Sequence, residues 1–168
     1  MRAQLREQRG GADVIFDKNG VRKGGARLLS VVTLKKNGQG RHYRLSTVTD
    51  YKAVWKAAKA VERVSKEKLP NGLNLVPDEP LPPNNTNAFR IPNYGLKQWS
   101  DVSTSRQKLV LSMLTKNLAQ IHADNTTDVK DLLALAISRC SDFNSSHNSW
   151  ALDGEFVRST FSRQALGM

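Results

Sequence analysis

All six prolines of this chain fall between residues 70 and 92. Pro70, Pro77, Pro80, Pro82, Pro83 and Pro92 each lack an N–H and fix φ, so residues 69–98 are denied a continuous helix or a central strand. The segment reads as an irregular, partly polyproline II connector. A connector of thirty residues is unusual inside a compact domain. It either wraps a surface supplied from elsewhere or crosses between two layers of a larger fold. It ends in the stretch Phe89–Gln107, where Pro92, Asn93 and Gly95 give way to a helix start. Thr104 is a good N-cap, and Gln107, three residues on, completes a capping box.

Charge divides the chain in the same sense. The net charge is +11, and residues 1–60 hold fourteen Lys/Arg against four Asp/Glu. The excess therefore belongs to the first third, and a basic stretch of this density points to a polyanion, most often nucleic acid. Val14-Ile15-Phe16 is a short strand candidate, and Lys18-Asn19-Gly20-Val21 carries the Asn-Gly signature of a type I′ turn. The best hairpin spans residues 26–47: Leu28–Leu34 runs out, Lys36–Gly40 turns, and His42–Leu45 returns. It gathers Lys35, Lys36, Arg41 and Arg44 at one tip, with His42 and Tyr43 interleaved. Two readings stay open: a phosphate-backbone contact, or an edge hairpin whose lysines discourage strand addition.

Four helices are expected. Thr47 or Thr49 caps the first, over about 50–68, with Tyr51, Val54, Trp55, Ala58 and Val61 inward and Lys52, Lys56, Lys59 and Glu62 outward. The second, about 104–123, turns Val110, Met113, Leu114, Asn117, Leu118 and Ile121 inward. The third, about 127–142, is apolar nearly all round, so it wants burial on several sides, with Cys140 a small buried hydrophobe. A short fourth helix spans about 153–161, with Trp150, Phe156 and Phe161 as packing anchors. Arg158 and Arg163 beside them join Lys35, Lys36, Arg41 and Arg44 as candidate DNA contacts.

Complete catalytic chemistry is missing. Gly24-Gly25 precedes a strand, whereas a nucleotide-binding glycine turn follows one. The three histidines lack metal-ligand spacing. Ser145-Ser146-His147 has no orienting carboxylate. Catalytic, cofactor-binding and metal residues are accordingly assigned to none. One cysteine, together with the lack of an apolar run long enough for a membrane span or signal peptide, suits a reducing cytoplasm.

Four stretches carry a resemblance. They are Gly25-Ala26-Arg27-Leu28-Leu29 through Val31-Val32-Thr33, with Gly40-Arg41-His42-Tyr43-Arg44-Leu45; Asp50-Tyr51 with Ala53-Val54; Tyr94-Gly95 with Trp99, Asp101 and Arg106-Gln107; and Ser138-Arg139, Asn144-Ser145, Trp150 and Thr160–Leu166. Together they span nearly the whole chain and resemble a segment of the large prokaryotic adenine-specific DNA methylases with a zinc-ribbon insert. Ser105 stands where that family usually has Pro, and Gly167 where it reads Ala-Leu-Pro-Met. The family's S-adenosylmethionine motif lies before this segment and its Asp-Pro-Pro-Tyr motif after it, and the zinc-ribbon cysteines are absent.

The resemblance implies a fragment, a truncated reading frame or one part of a split protein. Its fold is α+β in isolation, an N-terminal β-hairpin region followed by about four helices. In the parent it forms part of a Rossmann-like α/β methyltransferase. The divisions are 1–47 (basic hairpin region), 48–68 (amphipathic helix), 69–98 (wrapping connector) and 99–168 (helical region), together one partial domain. The function implied is a non-catalytic portion of an N6-adenine DNA methyltransferase that contributes scaffold and DNA-backbone contacts. Its partners are DNA and the remaining methyltransferase segments or a partner subunit, with S-adenosylmethionine the cofactor of the parent. The alternative is a stand-alone basic nucleic-acid-binding or adaptor protein without enzymatic activity.

Overall fold

The structure, a computed structural model, describes residues 13–36, 38–82, 92, 95–121 and 127–160. Within them the fold is α+β. Three two-stranded antiparallel sheets accompany three α-helices. The strands pair as β1 (Val14–Phe16) with β2 (Arg22–Gly25), β3 (Ser30–Leu34) with β4 (Arg41–Leu45), and β5 (Trp150–Ala151) with β6 (Phe156–Val157). The helices are α1 (Val48–Val64), α2 (Ser105–Ala119) and α3 (Thr127–Phe143), with a 3-10 turn at Trp99–Val102.

The first hairpin turns by side-chain chemistry. Asp17 Oδ1 accepts the N–H groups of Asn19 and Val21, each at 2.9 Å, and Gly20 takes φ of 80°. This is a five-residue loop built on an Asx-turn, so the expected two-residue type I′ turn is corrected. A Cβ on Gly20 would sit 2.8 Å from the Trp55 indole, and one on Gly25 (φ 67°) would sit 2.3 Å from the Asp13 carbonyl oxygen. Gly20 thus lets the hairpin close onto α1, and Gly25 lets β2 pass close to the backbone of Asp13 and Ile15. Asp13 then ties it to α2: its carboxylate accepts the Ser105 N–H at 2.6 Å and the Ser105 hydroxyl.

The core is thin. Val64, Leu75 and Val76 form its centre, with Val61, Leu69 and Leu109 packed around them. The described connector residues supply Leu75, Val76, Leu81 and Leu96 to the buried set. Its outgoing and returning arms pair at a neck, Leu81 N–H to Lys97 O at 2.8 Å and Trp99 N–H to Glu79 O at 3.1 Å. Here the connector fills the chain's own core.

The inward face of α2 corrects the expectation from apolar spacing. Val110 is 55% exposed, and Met113 and Leu114 are also exposed, while Ser105 and Ser112 are buried. Leu109 meets the core, and the Ser112 hydroxyl donates to Leu75 O at 3.3 Å. Small serines let the connector backbone approach the helix, which the larger apolar side chains would prevent. On α3, Leu132 is 65% and Leu135 68% exposed, and Cys140 is exposed, not buried. Among its apolar side chains only Ile137 is half-buried, because α2 covers one edge of the helix alone.

The fourth expected helix is also corrected, because β5 and β6 form a hairpin there. Asp153-Gly154 provides turn chemistry, and Glu155 (φ 49°) adopts a left-handed conformation that a helix excludes. Phe156 is 50% exposed and so anchors little; Phe161 and Arg163 lie outside the described residues. Trp99 is 40% exposed.

Gly25→Ala combines a left-handed backbone with a backbone collision. It should lower unfolding free energy by about 2 kcal/mol, read as a fall in the urea midpoint at unchanged slope.

Candidate nucleic-acid interface

The β3–β4 register decides which cations share the hairpin tip. Leu34 pairs with Arg41, Thr33 with His42, Val32 with Tyr43 and Val31 with Arg44. Lys35 N–H reaches Gly40 O at 3.4 Å across the turn. Lys35, Lys36 and Arg41 therefore gather at the tip, and no ion pair joins them to an acidic side chain among the described residues. Strand alternation sends Arg44 to the opposite face from Arg41, about 10 Å back along the strand.

Arg44 is not a tip residue but the base of the hairpin. Its guanidinium grips Asp50 in a fork, Nη1 to Oδ2 at 2.7 Å and Nη2 to Oδ1 at 2.8 Å. The same carboxylate accepts the Thr47 N–H at 2.7 Å and the Thr47 hydroxyl at 2.8 Å, which caps α1. The Arg44 guanidinium, helped by these Thr47 donors, holds the Asp50 carboxyl well below the usual carboxylate range. The pairing in turn raises the pKa of Arg44. A bidentate pair of this kind commits the Arg44 guanidinium to Asp50. From the sequence Asp50 is only the start of a helix. The Thr47-x-x-Asp50 spacing was the signal for its capping role.

Tyr43 is engaged as well. Its ring meets Trp150 edge-on at 6.4 Å, and its hydroxyl donates to Glu155 Oε1 at 2.8 Å, which raises its pKa. It joins the β3–β4 hairpin to the β5–β6 hairpin. His42 lies exposed on the other face of β4. Arg158 stands apart from the tip group, 3.8 Å from Asp153, with its N–H on Ser149 O at 2.9 Å. Of the five candidates among the described residues, Lys35, Lys36 and Arg41 share the tip.

The recognisable polar residues of the central phrase hold the backbone. Asp101 Oδ2 accepts the N–H groups of Lys97 and Gln98 at 2.7 and 3.1 Å. Gln107 Oε1 accepts the Thr104 N–H at 2.8 Å, completing the expected capping box. Ser103 Oγ donates to Asn144 O at 3.0 Å, and Ser146 donates to Val102 O through both N–H and hydroxyl. The Ser145 hydroxyl also points at Val102 O, so these serines join the start of α2 to the loop after α3. Burial lowers the pKa of His147.

Gly25 at the end of β2 packs against the Asp13 carbonyl oxygen, so this glycine serves a close approach within the chain's own backbone. Among the described residues no group of three or more His, Cys, Asp or Glu comes together, and no helix is long and apolar enough to cross a membrane. Comparison with protein-family models, curated proteins and solved structures finds no match.

Asp50 has a depressed pKa, so its stabilising effect is complete above the ordinary aspartate value of about 3.9 and is lost as pH falls through its lower folded value. Asp50→Asn should therefore melt earlier than wild type at pH 7, and the gap should shrink below about pH 4. Thermal melts across pH 2–7 read both.

Proposed function

We propose that this chain is a non-catalytic portion of an N6-adenine DNA methyltransferase, in which it supplies scaffold and contacts to the DNA backbone. The observation that carries the reading is the hairpin tip, where Lys35, Lys36 and Arg41 stand together on a chain of net charge +11. Cations without acidic partners at a hairpin tip match phosphate geometry and are sequence-independent. The resemblance supplies the enzyme class. In the parent, the methyl group of S-adenosylmethionine passes to the exocyclic nitrogen of an adenine turned out of the duplex. No step of that chemistry is assigned to residues here.

Two features support scaffold over catalysis. The side chains of Asp50, Asp101 and Gln107 cap helices or turns. The apolar face of α3, with Leu132 and Leu135 mostly exposed, suits packing against further methyltransferase segments, including the Rossmann-like sheet expected of the parent. This exposed face favours a subunit or segment over the alternative of an autonomous nucleic-acid-binding adaptor.

Neutralising the tip with Lys35→Gln, Lys36→Gln and Arg41→Gln together should make the slope of log affinity against log salt shallower by about 2.7, at 0.9 per phosphate. Arg44→Gln should leave that slope unchanged. Duplex binding by fluorescence anisotropy measures both, and an unaltered slope in the triple variant removes the tip from the interface.

A further inference from the structure

The strongest charged surface outside the hairpin lies on α1. Lys52, Lys56, Lys59 and Arg63 are all exposed. At 100° per residue they fall within about 60° of arc, and they extend about 16 Å along the axis. The opposite face of the helix, Val54, Ala57 and Val64, is buried in the core. Only Lys59 has an acidic partner among the described residues, Glu62 at 3.0 Å, and both side chains are at least half exposed.

This arrangement differs from an ordinary solvated helix face. Such a face interleaves Glu with Lys at i,i+4, whereas Lys52/Lys56 and Lys59/Arg63 place like charges at that spacing, which is mildly destabilising. A linear polyanion would relieve the repulsion along the whole stripe. The chemistry favours nucleic acid over a membrane surface. An interfacial helix needs a free apolar face to insert, and here that face is occupied by the core. We propose that the outer face of α1 is a second nucleic-acid contact, its four cations lying along the phosphodiester backbone of a duplex. The inference rests on the reading of the hairpin tip as a backbone contact and extends it to a surface that reading leaves out.

The test is the salt dependence of the full chain binding a labelled duplex. Three tip contacts and three or four stripe contacts give a wild-type slope of about −5.4 to −6.3. Lys52→Gln, Lys56→Gln, Lys59→Gln and Arg63→Gln together should bring it to about −2.7, with helix content by circular dichroism unchanged. The charge-preserving set Lys52→Arg, Lys56→Arg and Lys59→Arg should keep the wild-type slope. If wild type and the Gln variant share a slope near −2.7, the stripe is no contact and the tip reading stands. A flat wild-type response overturns both. Stripe-dependent binding to phosphatidylserine vesicles, with duplex binding independent of the stripe, assigns the surface to membranes and overturns the inference.

Discussion

The Arg44–Asp50 fork is the contact on which the basic third of the molecule depends. One carboxylate answers a guanidinium at 2.7 and 2.8 Å and the donors of Thr47 at the start of α1. It thereby fixes the end of β4 to the first turn of the helix. Two neighbouring contacts secure the same corner: Leu28 N–H donates to the Tyr51 hydroxyl at 3.1 Å, and the Ser46 hydroxyl donates to Leu28 O at 2.7 Å. The base of the hairpin is locked and its tip is left free. A residue that seemed part of the cationic surface is what positions that surface.

The same economy of polar groups runs through the rest of the chain. Asp13, Asp50, Asp101 and Gln107 each satisfy backbone N–H groups where an element begins. Each is a place where orphan donors need an acceptor. Among the described residues the core holds Val, Leu and Ala and no fully buried large side chain. Directional contacts therefore share with apolar burial the work of fixing how the hairpins meet the helices. Exposed apolar side chains remain on the outer side of α2 and around most of α3, and on the basic hairpin as well, where Leu29 (73%), Leu34 (71%) and Leu45 (80%) are exposed.

What could be read in the sequence was what is local. The α1 stripe of Val54 and its neighbours, the Thr104–Gln107 box and the Lys36–Gly40 turn all follow from spacing within a few residues. Part of what escaped was set by partners distant in sequence. Nothing near Ser105 announces Asp13, ninety-two residues away, and apolar spacing in α2 pointed to Val110 and Met113 because serine at the true interface carries no hydrophobic signal. Alternation along β4 sets Arg44 on the face opposite Arg41, and its partner Asp50 lies only six residues on. The fourth helix failed on a single dipeptide, Asp153-Gly154, whose turn preference outweighed the apolar anchors around it.

The proposed polyanion path runs along the hairpin tip and the outer face of α1 and leaves α3 uncovered. Lysine acetylation footprinting by mass spectrometry, with and without duplex DNA, tests this residue by residue. Protection of Lys35, Lys36, Lys52, Lys56 and Lys59, with Lys116 and Lys130 unchanged, is the expected result. Equal reactivity with and without duplex, or protection centred on Lys130, would contradict it.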